Sequence, residues 1–226
     1  IAYIKKNLKN LKKNVIGGYN ICCIGDNRVY SYLFSKYKNS ISDLAAIKAY
    51  KQLKLKFKKY NHIYSGSDER RYNSPYVDLG IGSIMRSKYH SFPEYHTSLD
   101  NFNLVTAEGL KGGYNVAKKA IENLMQFGTN TIFTKKSYSK RKKNIIICTT
   151  ICEPNLGKRN LYPLISKPES AKDYEFKQPL KILDFLQYAD GTNNLKDISK
   201  HIKYSMIKTK FILKILLKAK LVRVIK

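Results

Sequence analysis

Residues 66–101 read GSDERRYNSPYVDLGIGSIMRSKYHSFPEYHTSLDN. Two chemically dense clusters sit in this stretch. Ser67-Asp68-Glu69-Arg70-Arg71 follows Gly66, and Glu94-Tyr95-His96-Thr97-Ser98-Leu99-Asp100 follows Pro93. Between them, Ile81 to Met85 is a short apolar run interrupted by Gly82 and preceded by Gly80. The order predicts a loop, a short buried strand and a second loop. Carboxylates and an imidazole on two loops joined by one strand suit a site that faces a cleft. A segment used only for packing has no need of them.

Upstream, Tyr19 to Ile24 is mostly apolar and lies between Gly17-Gly18 and Gly25, which fits a buried strand of a mostly parallel sheet. Asp26 follows directly. Open α/β sheets bind ligands at the carboxyl ends of their strands, which makes Asp26 a site candidate; an ordinary turn aspartate in Gly25-Asp26-Asn27 is the equal alternative. Residues 1–13 carry Ile4, Leu8 and Leu11 at helical spacing. Ser42 as N-cap and a stripe of Leu44, Ile47, Tyr50, Leu53 and Phe57 predict a helix to about Lys59. His62-Ile63-Tyr64 is expected to be the strand that delivers Ser67-Asp68-Glu69 to the cleft.

Downstream, Thr106 caps a long helix whose expected buried face is Leu110, Tyr114, Ala117, Ile121 and Leu124. Gly112-Gly113 in its first turns implies a close packing approach. Residues 129–171 read as a basic linker, a strand at Ile145 to Ile151 and a connector; the linker includes the run Lys140, Arg141, Lys142, Lys143. From Pro179 the pattern is helix, turn at Asp190-Gly191, short helix, third helix and a strand at Leu221 to Ile225. That is the order of a winged helix-turn-helix. The division expected is 1–128, 129–171 and 172–226, with an α/β sheet flanked by helices in the first part and the winged helix in the last.

The net charge is +27, from 43 Lys+Arg against 16 Asp+Glu. Such a balance favours polyanions. The lysines are scattered, however, and Lys, Asn, Ile and Tyr are abundant together, as a residue-usage bias would give. The winged helix is therefore expected to bind nucleic acid weakly, and a role in packing or dimerisation as a homo-oligomer is its alternative. Cys22, Cys23, Cys148 and Cys152 lie in apolar runs without Cys-x-x-Cys spacing, which predicts free thiols in a reducing, cytoplasmic setting. No membrane partner is expected, since no segment has the apolar length of a span.

His96, with Glu94 and Asp100 close by in sequence, reads either as a zinc-ligating imidazole or as a surface-loop histidine that lies near acidic residues by chance. His62, His90 and His201 lack that context. Tyr95-His96-Thr97 followed by Asp100 resembles the Tyr-His-Thr-x-x-Asp motif of co-catalytic di-zinc aminopeptidases. Together with Gly66 to Arg70 and Glu153 to Arg159, it resembles more closely a bacterial aminopeptidase-like subfamily that is associated with polysaccharide biosynthesis and carries a C-terminal winged helix. The resemblance covers residues 14–226. It implies a zinc-dependent hydrolase that cleaves an amide bond in a peptide or small substrate by metal-activated water. It makes His96 a ligand and Asp26 a weaker ligand candidate, with Asp68, Glu69, Tyr95 and Asp100 as supporting or substrate-binding groups. One departure is clear: Cys22 stands where the family has a ligand Asp. The other ligands and the general base are expected upstream of Ile1, which leaves this segment alone inactive. A nucleic-acid-binding regulator on a degenerate peptidase scaffold is the competing reading.

Overall fold

A computed structural model describes residues 1–130, 143–161 and 179–225. The basic run Lys140 to Lys142 and the end of the connector, 162–178, lie outside the described residues. The rest divides into two units. One takes residues 7–73 and 78–130; the other takes 1–6, 74–77, 143–161 and 179–225. Helix α1, Ala2–Asn14, spans the division.

The first unit holds strands β1 Gly18–Ile21, β2 Ser31–Leu33, β3 Lys58–Tyr60 and β4 Ile81–Met85, and helices α2 Ile41–Gln52, α3 Asp68–Tyr72 and α4 Ala107–Asn130. The strand order is β1-β4-β2-β3. β1 runs parallel to β4 and β2 parallel to β3, while β2 and β4 are antiparallel. The sheet is thus mostly parallel and flanked by helices, as the sequence leads one to expect. All five residues of β4 are buried, which accounts for its unbroken apolar run.

Several local expectations change. His62–Tyr64 is a 3-10 turn, and the strand before it is β3. Ser67-Asp68-Glu69 opens the short helix α3, not a loop. The N-cap of α2 is Ser40, which forms a capping box with Asp43. Asp43 is buried and also accepts from the Tyr32 hydroxyl at 3.0 Å and the Ser35 amide at 2.9 Å. Ser42 is buried instead and accepts from the Gly18 amide at 2.9 Å. The buried face of α4 is Val116, Ala117, Ala120 and Leu124; Leu110, Tyr114 and Ile121 are exposed. Small residues win that face because α2 packs there through Ala45, Ala46 and Ala49.

The second unit contains β5 Ile145–Cys148, α5 Pro179–Tyr188, β6 Asp190–Asn194, α6 Leu195–Ile202, α7 Met206–Lys218 and β7 Val222–Ile225. Its sheet order is β6-β5-β7, all antiparallel. Ile145–Cys148, expected as a strand between the linker and the connector, is the central strand here. Asp190-Gly191, expected as a turn, begins β6, with Gly191 at φ +84°. Asn194 and Asp197 form a capping box at α6, and Ser205 caps α7. Phe185, Leu186, Ile198, Ile212 and Leu216 are all buried. Each contributes about 1.5–3 kcal/mol by burial.

Candidate functional site

Because β1 and β4 are parallel and adjacent, their carboxyl ends open on the same side of the sheet. The residues after β1 and after β4 build the site there. Helix α4 closes it from behind. A Cβ on Gly109 would come within 1.9 Å of the Gly25 carbonyl oxygen, and one on Gly113 within 2.9 Å of the Ile24 carbonyl oxygen. Only glycine lets the helix backbone rest on this loop. The Thr106 amide donates to the Gly25 carbonyl at 2.9 Å, and the Thr106 hydroxyl accepts from the Gly109 amide at 3.0 Å. The close approach expected at Gly112-Gly113 is present, and it begins a turn earlier than the sequence suggests.

Asp26 is buried and ties the two strand ends together. Its carboxylate accepts from the Ser87 amide at 2.8 Å, the Ser87 hydroxyl at 2.9 Å and the Arg28 amide at 3.0 Å. One residue before Ser87, Arg86 lies 3.8 Å over the Tyr30 ring and donates to Asn27 at 2.8 Å. Both oxygens of Asp26 are thus already engaged in holding the loop.

Glu69 is the centre of the second network. It is fully buried on α3 and accepts from the Asn20 side chain at 2.7 Å, the Tyr89 hydroxyl at 2.8 Å and the amides of Gly66 and Ser67, both at 3.1 Å. Asn73, also fully buried, holds α3 on β4 by donating to the carbonyls of Glu69 and Ile81 and accepting from the Ile81 amide. Burial pushes the Glu69 carboxyl upward, but the hydrogen bonds from Tyr89, Ser67 and Asn20 outweigh it and hold the group below the usual range. Burial and the neighbouring carboxylate push the Tyr89 phenol up. Burial draws Lys88 down, partly offset by Glu69 and by Cys22; its ammonium donates to the Tyr89 carbonyl at 3.0 Å. Cys22 is pushed up, chiefly by Cys23, and Cys23 is drawn down, chiefly by Cys22. Asp26 and Asp100 both act electrostatically on Cys23, and Glu69 acts on Cys22.

The His96 loop is anchored by a pair 66 residues apart in sequence. Arg28 and Glu94 meet in a two-pronged contact at 2.7 and 2.9 Å. The Arg28 guanidinium draws the Glu94 carboxyl down to about 2. His96 is exposed, at φ +61°, and its ring stacks on Tyr95 with centroids 3.9 Å apart. The His90 ring lies 6.1 Å from His96. A left-handed conformation costs a non-glycine residue about 1 kcal/mol, and such residues concentrate at sites. Asp100 is exposed, and Asp68 is exposed on the first turn of α3.

The structure packs Tyr95 with Cys22 and Cys23 against Leu33, Met85 and Tyr89, and stacks the exposed His96 on Tyr95; Asp68 and Asp100 are exposed. Among the described residues no three His, Cys, Asp or Glu side chains stand close enough together to hold a metal ion. The donor groups of the described residues do not amount to a metal site. Nothing local in the sequence signals Asn20, Tyr89, Arg28 or Gly109, whose partners are distant along the chain.

Comparison with known proteins places these units. A family described as a domain of unknown function (DUF4910) matches residues 1–127, and a winged helix-turn-helix family matches residues 144–224. A Clostridium acetobutylicum protein, provisionally named a polysaccharide biosynthesis protein with aminopeptidase-like domain, is 30% identical over 199 residues, which is 88% of this chain and 41% of that protein. A crystal structure from Clostridium acetobutylicum, provisionally titled a peptidase, is similar at 24% identity and a TM-score of 0.49, covering 99% of this chain and 45% of that one. The chain thus spans less than half the length of these relatives. With more than half of its residues matched by one family model, the chain belongs to the family described as a domain of unknown function (DUF4910), followed by a winged helix-turn-helix.

Proposed function

We propose that the whole protein is a zinc-dependent, aminopeptidase-like hydrolase and that this chain forms one wall of its site. The observation that carries the reading is the paired network at the carboxyl ends of β1 and β4. Glu69 and Asp26 are buried and fully hydrogen-bonded there, and a bidentate ion pair holds the exposed imidazole of His96 on the rim. The similarity to a protein named for an aminopeptidase-like domain supports it. Zinc, when bound, lowers the pKa of water and polarises a carbonyl. In this reading His96 contributes one ligand, and residues outside this chain complete the set. Tyr95 orients the His96 ring by stacking. Asp26 and Glu69 fix the loops, and Asp100 faces the substrate side. The substrate is a peptide or another small molecule with an amide bond. The winged helix binds duplex DNA only weakly and without sequence preference.

The test is zinc analysis of the purified whole protein beside hydrolysis of simple aminoacyl amides, before and after chelation. Bound zinc with chelator-sensitive hydrolysis supports the reading; a metal-free protein with no hydrolysis rejects it.

A further inference from the structure

Residues 22 and 23 carry the chain of β1 past its end. The Cys22 amide donates to the Ile84 carbonyl at 3.4 Å, and the Cys23 carbonyl accepts from the Arg86 amide at 2.9 Å. Both cysteines therefore still run beside β4 and the residue after it. In a regular strand, successive side chains point to opposite faces of the sheet. Here they do not. Cys23 has φ +47°, in the left-handed region, and both cysteines pack against the same buried group, Leu33, Met85 and Tyr89. A left-handed conformation costs a non-glycine residue about 1–2 kcal/mol. The backbone is bent in this way where two thiols follow each other in the chain.

Neither thiol is sealed off. Cys22 and Cys23 are free and half-buried, whereas Cys148 and Cys152 are fully buried. The surroundings also suit thiol chemistry. Cys23 is drawn down, chiefly by Cys22 and to a lesser extent by Lys88, against the opposite pull of burial, Asp100 and Asp26. That favours its thiolate, the form that meets an electrophile. The Asn20 side-chain amide donates to the Cys22 sulfur at 3.6 Å. Two thiols adjacent in the chain, packed on one side of it and reachable from solvent, make a dithiol that a single reagent engages twice.

We propose that Cys22 and Cys23 form a modification site, an oxidisable dithiol whose reagent is a peroxide. The peroxide transfers one oxygen to one sulfur, which becomes a sulfenic acid, and the rest of the reagent leaves as water or an alcohol. The other thiol attacks that sulfur. Its proton leaves with the displaced hydroxyl as water, and a disulfide closes between the two neighbours. Two electrons pass from the pair of sulfurs to the peroxide. Adjacent α-carbons lie about 3.8 Å apart, closer than the ~4.4–6.8 Å usual for disulfides. The ring is therefore strained, and a small dithiol reopens it. Neither thiol is given a part in hydrolysis, so the inference stands apart from the hydrolase reading.

The test uses the full 226-residue chain. It is reduced, freed of reductant, exposed to a small excess of hydrogen peroxide and alkylated with iodoacetamide in urea. Trypsin releases residues 14–28, which hold both cysteines. This peptide should appear without alkyl groups and lighter than the free dithiol by the two lost hydrogens. Dithiothreitol added before alkylation should restore the doubly alkylated form. Cys148 and Cys152 should be alkylated as free thiols in the same sample. In Cys22→Ser, Cys23 has no neighbouring thiol to capture its sulfenic acid, and at least about tenfold more sulfinic and sulfonic acid should accumulate on it than in the wild type. Phenylarsine oxide, which needs two thiols on one arsenic, should block alkylation of the pair in the wild type and not in Cys22→Ser or Cys23→Ser. Circular dichroism checks that each variant is folded. A peptide 14–28 that stays doubly alkylated after peroxide overturns the proposal. So does wild-type oxidation to sulfonic acid as extensive as in Cys22→Ser, or a disulfide formed only between two chains, seen as a dimer on a non-reducing gel.

Discussion

The carboxyl end of β1 and β4 and the outer face of α7 treat polar and apolar groups in opposite ways. At the strand ends, Glu69 and Asp26 are withdrawn from water, and their carboxylates are met by hydroxyl, amide and side-chain donors. On α7, Ile207 is left in water, beside exposed lysines. Burying a carboxylate is costly unless it is hydrogen-bonded, so the first arrangement fixes geometry. Leaving a large apolar group exposed gains the fold nothing. One region is held by hydrogen bonds, and the other is exposed.

The comparison can be broken most forcefully at Gly109. Gly109→Ala would drive a methyl group into the Gly25 backbone. A loss of about 3 kcal/mol or more is expected, measured by denaturant unfolding. A near-neutral result would show that α4 does not clamp the loop. Glu69→Gln should cost about 2–3 kcal/mol, because an amide nitrogen then faces donors that had been satisfied by a carboxylate. Its pH signature is separate. The folded carboxyl lies below the usual range, so its contribution is present above the ordinary glutamate value near about 4.3 and is lost as pH falls through the folded value. Glu69→Gln should therefore remove part of the acid-side loss of stability, and an unchanged acid profile would contradict the network. Arg28→Ala should have a smaller effect, within about 1 kcal/mol, because the pair is at the surface. It should instead loosen residues 93–100, read by faster amide exchange there. Smallest of all, Ile207→Ser should change stability by no more than about 0.5 kcal/mol. A large loss would mean that this side chain packs in the fold.

The same contrast explains what the sequence could tell. β4 was legible because a strand covered on both faces is apolar throughout. The order of the winged helix was legible because each helix carries its own cap and stripe. β2 was not: Ser31–Leu33 is three residues long, and nothing in its composition separates it from its flanks. The face of α4 misled because large apolar residues suggest burial, whereas close packing on α2 selects Ala117, Ala120 and Val116 and leaves Leu110 and Tyr114 outside. At the site, His96 announced itself by its neighbours in sequence. The Asn20 to Glu69 and Arg28 to Glu94 contacts join residues 49 and 66 positions apart, and only the topology of the sheet brings them together.

The central claim, that this chain supplies a zinc ligand to a hydrolase site, is tested most directly by His96→Ala in the whole protein, with His90→Ala as control. Zinc per protein and hydrolysis of an aminoacyl amide are measured for wild type and both variants. The account predicts zinc in the wild type, its loss in His96→Ala with hydrolysis reduced about 100-fold or more, and retention in His90→Ala. A wild type without zinc, or a His96→Ala variant that keeps both its zinc and its hydrolysis, would contradict it.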